Sequence, residues 1–328
     1  MVQIGYGMLA EQAGPRQLVD HAMHAEDVGF DFSTISDHAA PRLPAQGHAP
    51  YTWSVLGAVA QATSEIPLMT FATCPTMRYH PAVVAQKAAT LQILSEGRFR
   101  FGLGPGANVD EHITGDWPPV DVRLEMLGEA VEIIRELFRG ECVSRRGGHF
   151  TVDSARLWDL PDQPPPIGVA VSDDRSCELA GQLAELMVAA RPERSLVESF
   201  ERAGGSGKPR IGQLAVCYDT DREAAVRRAY EQFGWFGLGG QVEAELASPD
   251  SFEAATRYVR PEDVAEAIPC GNDPEAVVDA VRRFADAGFT EVALVQIGGG
   301  AQHDFLAWAE EKLLPDVHAL GGGGAVAA

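Results

Sequence analysis

Short runs of apolar and β-branched residues alternate with longer segments of helical periodicity along the whole chain. In the first helical segment Leu18, Ala22 and Ala25 recur at the spacing of one helix face, Pro15 lies at its start and Gly29 follows its end. The apolar runs predict eight strands, which cover residues 2–7, 31–36, 67–73, 99–104, 166–172, 185–190, 210–218 and 291–298. A helical pattern follows each run, so the chain repeats a strand–helix unit.

This repeat predicts the fold. Eight strand–helix units in 328 residues are typical of an α/β protein with a (β/α)8 TIM barrel. A doubly wound sheet is the alternative, but it has no natural place for eight consecutive units. We therefore expect a single barrel domain over residues 1–328 with insertions near 140–165 and 234–258, each long enough for a lid or a dimer contact. Residues 321–328, which include four glycines, are expected to form a flexible tail.

The charge balance excludes several kinds of partner. The chain has 26 Lys+Arg and 47 Asp+Glu, a formal net charge of −21. Such a field repels nucleic acid and anionic lipid, so we expect a small-molecule substrate, no nucleic acid and no membrane. The sequence has no apolar run of membrane-spanning length and no basic leader, and its five scattered cysteines form neither a disulfide framework nor a metal clip. These features predict a soluble cytoplasmic protein without a metal site.

Candidate chemistry lies where the predicted strands end, because a barrel carries its active site at the carboxyl ends of its strands. His38 is the most informative residue there, since a histidine beside Asp37 at a strand end can transfer a proton near neutral pH. A loop histidine bonded only to backbone is the open alternative. Cys74 has no histidine or basic neighbour in sequence, which favours a small buried residue over a nucleophile. Motifs of zinc proteases, P-loop NTPases and serine hydrolases do not occur.

Three segments carry a family resemblance. SDHAAPRLPAQGHAPYTW begins at Ser36, CPTMRYHPAVVAQ begins at Cys74, and DWPPVDVRLEMLGEAVEIIRELF begins at Asp116. They resemble the bacterial luciferase-like superfamily, in particular its F420-dependent oxidoreductase branch, typified by F420-dependent glucose-6-phosphate dehydrogenase. The resemblance implies a (β/α)8 barrel, a homodimer, and coenzyme F420 bound at the strand carboxyl ends. It also implies hydride transfer between C5 of the deazaflavin and a substrate, with the protein positioning the reactants and moving the proton.

The resemblance also implies roles for individual residues. Asp37 falls at a position that contacts the deazaflavin ring, and His38 at the position that acts on the substrate proton. The remaining cofactor-contacting positions are occupied here by Cys74, Pro105, Gly106, Asp110, Ser172, Asp173, Arg175 and Ser176. Next to Cys74, the Phe71–Ala72 peptide corresponds to a non-prolyl cis peptide in relatives.

Several positions depart from the family pattern. Ala107 replaces an acid/base glutamate, and Ser172-Asp173 replaces a Gly-Gly pair whose amides approach the cofactor phosphate. The extra carboxylates there would repel a phosphodiester, partly offset by Arg175 and a following helix N-terminus. The basic residues that hold a sugar phosphate are replaced here by Glu193, Glu243 and Ala267.

These departures predict a non-phosphorylated substrate, uncharged or cationic. Reduction of a C=C or C=N bond is favoured over sugar-phosphate oxidation, because it needs only one proton donor. Two alternatives stay open. The first is a repurposed barrel that has lost deazaflavin binding and performs cofactor-free acid/base chemistry or a binding role. The second is a flavin mononucleotide monooxygenase of the luciferase type.

Overall fold

Eight parallel strands close into a barrel in the computed structural model, which describes residues 2–319. In sequence order around the ring the barrel strands are β1 (Gln3–Met8), β2 (Phe32–Ile35), β3 (Leu68–Thr70), β4 (Phe99–Leu103), β7 (Ile167–Ala170), β8 (Leu186–Ala189), β9 (Arg210–Val216) and β10 (Glu291–Gln296). Seven of them lie within the runs that the apolar pattern predicts, and β1 extends one residue beyond its run, to Met8. Because β1 pairs with both β2 and β10, the sheet has no edge, which confirms the TIM barrel and excludes the doubly wound alternative.

Helices surround the barrel. They are α1 (Pro15–Asp27), α2 (Thr52–Ala62), α3 (Pro81–Leu94), α4 (Asn108–Glu111), α5 (Val120–Phe138), α6 (Asp174–Leu183), α7 (Arg194–Phe200), α8 (Arg222–Phe233), α9 (Gly240–Glu245), α10 (Pro249–Thr256), α11 (Pro261–Ala267), α12 (Pro274–Ala287), α13 (Gln302–Trp308) and α14 (Leu314–Ala319). Proline lies at the first position of α1, α3 and α12, where its missing N–H removes no helical bond. None of the helices in residues 2–319 has the length and apolar character needed to cross a membrane.

Two layers of apolar packing hold the barrel together. Inside it, Phe32, Met69 and Val188 belong to one buried cluster, while the opposite faces of the strands pack against the helices. Arg100 near the start of β4 crosses the interior to Glu291 on β10, with Nη1 2.5 Å from Oε2. The interior is therefore filled at the amino ends of the strands, and any ligand space lies at their carboxyl ends.

The two segments predicted as insertions leave the strand–helix repeat. Residues 140–165 contain an antiparallel hairpin of β5 (Val143–Arg146) and β6 (Thr151–Ala155). Residues 234–258 contain α9 and α10, and Phe252 of α10 packs with Leu43 and Val109 near the carboxyl end of β2 and in α4. This second insertion therefore covers part of the barrel mouth. The tail predicted at 321–328 lies outside the described residues.

Candidate active site

His38 lies just after β2 and is held from two sides. Its Nδ1 donates to Oε1 of Glu11, which follows β1, and the other carboxylate oxygen of Glu11 accepts from the Ser36 hydroxyl at 2.8 Å. On the far side of the ring, Nη2 of Arg42 lies 3.3 Å from Nε2. The ring is therefore fixed with Nδ1 protonated and Nε2 facing Arg42.

The buried carboxylate and the imidazole shift each other's pKa. Burial alone would raise the pKa of Glu11, but His38, Arg42 and Ser36 outweigh it and lower that pKa to about 2. For His38, burial and Arg42 act to lower the pKa, while Asp110 and Glu11 raise it, and the net direction is upward. His38 is thus an imidazole whose charged form is stabilised by the chain, as a proton donor requires.

Asp110 completes this arrangement from α4. Its Oδ2 lies 3.0 Å from Nη1 of Arg42 and 4.0 Å from Nε2 of His38, and its Oδ1 accepts from the Ala39 amide at 2.9 Å. Arg42 is therefore neutralised by Asp110 while it contacts His38. The predicted site residues His38 and Asp110 come together, but through an arginine that the sequence analysis did not single out.

Asp37 is buried, and both of its carboxylate oxygens accept hydrogen bonds from other residues of the chain. Oδ2 accepts from Thr73 Oγ1 at 2.7 Å and from Trp53 Nε1 at 3.1 Å. Oδ1 accepts from Arg78 Nη2 at 3.1 Å and from the Tyr79 hydroxyl at 3.3 Å. Asp37 therefore joins the segments that follow β2 and β3, and the Phe71–Ala72 peptide directly after β3 is cis, as the resemblance implies.

A second cluster lies beside Asp37 and consists of Gly106, Cys74 and Glu111. Gly106 has a φ of 84°, and a Cβ there would come within 2.8 Å of Cys74 Sγ and 2.9 Å of Glu111 Cγ, so only glycine fits. Burial raises the pKa of the Cys74 thiol to about 12, which agrees with a structural cysteine. Pro105, next to Gly106, is partly exposed.

Glu111 is a candidate that sequence reasoning missed. It is buried, accepts from the Arg78 amide at 2.9 Å, and has a pKa raised to about 7, mainly by burial and despite Arg78. The only sequence signal was a carboxyl group four residues after Ala107, and this spacing does not reveal that the chain folds Glu111 against Cys74. The cluster places a second titratable carboxyl near the mouth.

The start of α6 carries three of the predicted residues, Ser172, Asp173 and Ser176, and it lies apart from both clusters. The amides of Ser172 and Asp173 donate to Ser176 Oγ at 3.0 and 3.1 Å, and the Ser176 amide donates to Asp173 Oδ1 at 2.8 Å. Arg175 turns away to pair with Asp121 on α5. These four predicted residues share no hydrogen bond with His38, Asp37 or Cys74 in the part of the chain that the structure describes.

Small residues leave space between the clusters. A Cβ placed on Gly104 would lie 3.4 Å from Ala170 Cβ and 3.5 Å from Ala72 Cβ, which are ordinary contacts between short side chains. Below them, Thr34 Oγ1 is buried and has no hydrogen-bond partner within residues 2–319. A flat ring system suits a surface of short side chains, which lets a planar group approach the strand ends.

Glu193 and Glu243 mark the outer side of the mouth. Glu243 lies on α9, and burial raises its pKa to about 7, although Arg191 and Arg42 act to lower it. Arg191 lies 3.9 Å from Glu193, and both are exposed. Across residues 2–319, no group of three or more His, Cys, Asp or Glu side chains is placed to hold a metal ion.

Comparison with known proteins decides the family. The model of the luciferase-like monooxygenase family matches residues 1–291. The chain belongs to this family. It is 33% identical to an F420-dependent glucose-6-phosphate dehydrogenase of Nakamurella multipartita and 31% identical to one of Amycolatopsis mediterranei, and it aligns over 98% of its own length in both cases and over 98% and 100% of theirs.

Solved structures agree with this assignment. An F420-dependent secondary alcohol dehydrogenase in complex with an F420–acetone adduct superposes with a TM-score of 0.88 at 28% identity, over 96% of this chain and 99% of that one. A coenzyme F420-dependent tetrahydromethanopterin reductase from Methanopyrus kandleri shares the fold, with a TM-score of 0.76 at 20% identity over 96% and 99% of the two chains. The resemblance seen in the sequence is confirmed, and the chain is an enzyme of the luciferase-like family.

Proposed function

We propose that this chain is an F420-dependent oxidoreductase that transfers a hydride between deazaflavin C5 and a non-phosphorylated organic substrate. The observation that carries the proposal is the Glu11–His38–Arg42 arrangement, a proton-transferring imidazole held at the barrel mouth. The F420-dependent names of the relatives supply the cofactor class. We favour reduction of a C=C or C=N bond, because Ala107 removes the family's acid/base glutamate and a reduction needs only one proton donor, the role we assign to His38.

The ring end of the site suits a deazaflavin. In this proposal Pro105 and Gly106, together with the short side chains around Gly104, Ala72 and Ala170, would hold the ring. Asp37, Cys74 and Asp110 act from behind this surface, since their polar atoms are already bonded within the chain. When bound and reduced, the deazaflavin supplies the hydride.

His38 supplies the proton in this scheme. In the neutral ring, Nε2 accepts from Arg42. When Nε2 is protonated, it no longer offers a lone pair to Arg42, and its N–H points toward the guanidinium. Glu11 stabilises the resulting positive charge through its contact with Nδ1. The proton on Nε2 is therefore the one that His38 gives to a substrate atom.

The test is stopped-flow oxidation of the reduced cofactor by a panel of alkenes and imines. His38→Ala should lower the rate of the active substrate by at least about 100-fold, the usual contribution of a general acid. His48→Ala is the matched control, because His48 is an exposed histidine whose backbone amide alone contacts Glu11. Full turnover in His38→Ala would remove His38 from the mechanism.

A second candidate function is cofactor-free acid/base chemistry or a binding role on a repurposed barrel. The specific observation in its favour is the start of α6, where Asp173 and Ser176 fill the amides that the resemblance assigns to the cofactor phosphate. Melting curves with F420 separate the two functions. A ligand that binds only the folded state at a hundredfold excess over its Kd adds about 2.7 kcal/mol of stability, and an unchanged Tm would favour the second.

A homodimer in the cytoplasm completes the proposal. Helix α3 leaves Val83, Ile93 and Leu94 exposed on the outside of the barrel, and Tyr51, just before α2, is exposed as well. A second copy of the chain would cover this apolar surface. The five cysteines are free thiols, which supports a reducing compartment.

A further inference from the structure

The carboxylate of Asp173 lies at the first turn of α6. Asp173 is the N-cap of this ten-residue helix, and its carboxylate accepts from the Ser176 amide at 2.8 Å and from the Ser176 hydroxyl at 2.7 Å. The Ser176 oxygen in turn accepts from the amides of Ser172 and Asp173. A carboxylate thus lies where the positive end of the helix dipole would otherwise attract an external anion.

Within residues 2–319 no arginine or lysine forms an ion pair with this carboxylate, and a cationic influence on the turn comes from Arg202, which acts to lower the pKa of Cys177. Arg175 pairs with Asp121, and Asp174 adds a further negative charge that accepts from the Ser199 hydroxyl at 2.8 Å. The other arginines of the mouth are likewise paired with carboxylates, namely Arg42 with Asp110, Arg78 with Asp37 and Glu111, and Arg191 with Glu193. A phosphodiester at this end of the site would therefore meet like charge and occupied amides.

We infer that this chain accepts the phosphate-free deazaflavin riboside at least as well as F420 itself. This inference rests on the proposed function and specifies the cofactor form that the site takes. The riboside has the same ring and ribityl chain but no phosphate and no acidic tail. The ring surface of Gly104, Ala72 and Ala170 is formed by residues separate from the α6 loop, so ring binding does not depend on Asp173.

The experiment is a fluorescence titration of purified full-length protein with F420 and with the riboside at low ionic strength, where surface charge acts most strongly. We expect the Kd of the riboside to be equal to or lower than the Kd of F420. An F420 Kd more than threefold below that of the riboside would overturn the inference while leaving the proposed function intact. Binding of neither form would contradict the proposed function, and the inference with it.

Variants at Asp173 test the cause. Asp173→Gly removes the carboxylate and frees the Ser176 amide, and should improve F420 affinity by about fivefold while riboside affinity stays within threefold. Asp173→Asn keeps a capping oxygen but loses the charge, and should give a smaller gain of about twofold. If Asp173→Gly leaves the ratio of the two Kd values unchanged, Asp173 does not set the cofactor form.

A matched control separates ligand discrimination from loss of a helix cap. Asp273 is the N-cap of α12 and accepts from the Glu275 amide at 3.1 Å, so Asp273→Gly removes an equivalent cap elsewhere. This variant should leave the ratio of the two Kd values unchanged. Both glycine variants should melt close to the wild type without ligand, because glycine replaces a capping residue at a cost of only a few tenths of a kcal/mol.

Discussion

At the scale of single residues, Glu11 and His38 couple proton chemistry to stability. Glu11 has a pKa lowered to about 2 from 4.5, so its contribution to stability is present above pH 4.5 and is lost as the pH falls toward 2. The pKa of His38 is raised from 6.5, so its contribution is present below pH 6.5 and is lost as the pH rises through the folded value. The pair therefore stabilises the fold most between pH 4.5 and 6.5.

Glu11→Gln tests this coupling. At pH 5.5 the variant should lose about 1–3 kcal/mol of unfolding free energy, because His38 then keeps a proton without its carboxylate partner. At a pH well above the raised pKa of His38 the difference from the wild type should shrink, since the imidazole has then lost its positive charge. Urea denaturation at the two pH values measures both quantities. Glu65→Gln, at an exposed glutamate, is the control and should change stability little at either pH. A pH-independent loss in Glu11→Gln would show that the ion pair is not its cause.

Sequence reasoning singled out His38 as a candidate, but not the side chains that contact it. Glu11 lies 27 residues before His38, and Arg42 gave no motif, so neither could be assigned before the strands met in space. Glu111 was missed for the same reason, because its raised pKa comes from burial. The roles of Cys74, Pro105 and Gly106 came from resemblance, and the structure adds the close packing that makes glycine necessary at 106.

At the scale of elements, the strand predictions succeeded because each depends on local periodicity. The third strand is shorter than its apolar run, since β3 ends at Thr70 and Thr73 makes only an isolated bridge to Leu103. The insertions were located because the strand–helix repeat is interrupted there, but the hairpin and helices inside them were not predicted. The contact of α10 with the loop after β2 was not visible either, because it joins residues about 200 positions apart in the chain.

Phe252 anchors α10 on the barrel mouth. Its side chain is fully buried against Leu43 and Val109, and the Arg42 guanidinium lies 5.7 Å from its ring centroid. Phe252→Ala should lower the unfolding free energy by about 3–5 kcal/mol, as large-to-small changes of buried aromatics do. Tyr258→Ala is the control in the same insertion, because Tyr258 is 91% exposed and its loss should cost under about 0.5 kcal/mol. Equal losses in the two urea curves would contradict the packing of α10 on the mouth.

At the scale of the whole molecule, charge and apolar surface are segregated. The mouth collects carboxylates that pair with nearly every arginine near it, in keeping with the net charge of −21. The outer surface of α3 and the residue before α2, Tyr51, instead expose large apolar side chains. The first feature disfavours anionic ligands in the proposed function, and the second supports the proposed homodimer.

A charge placed in this apolar surface should break the dimer. Ile93 is 44% exposed on α3, and Ile93→Lys should convert a species of twice the chain mass into a monomer in light scattering after gel filtration. Trp158→Lys is the matched control, because Trp158 is an exposed aromatic in the other insertion. Dissociation by Trp158→Lys but not by Ile93→Lys would move the interface to that insertion, and a monomeric wild type would refute the dimer.

The sequence by itself determined the barrel, its order of strands and helices, and the location of His38 at a strand end. Those features follow from patterns within one element, and ring closure follows from repeating one unit eight times. Only the tertiary structure decided that Glu11 and Arg42 hold His38, that Glu111 is buried beside Cys74, and that the Asp173 carboxylate accepts from Ser176 at the start of α6. Pairings of this kind depend on side chains that meet only after the ring closes, and on the solvent excluded at that moment, which no local pattern encodes.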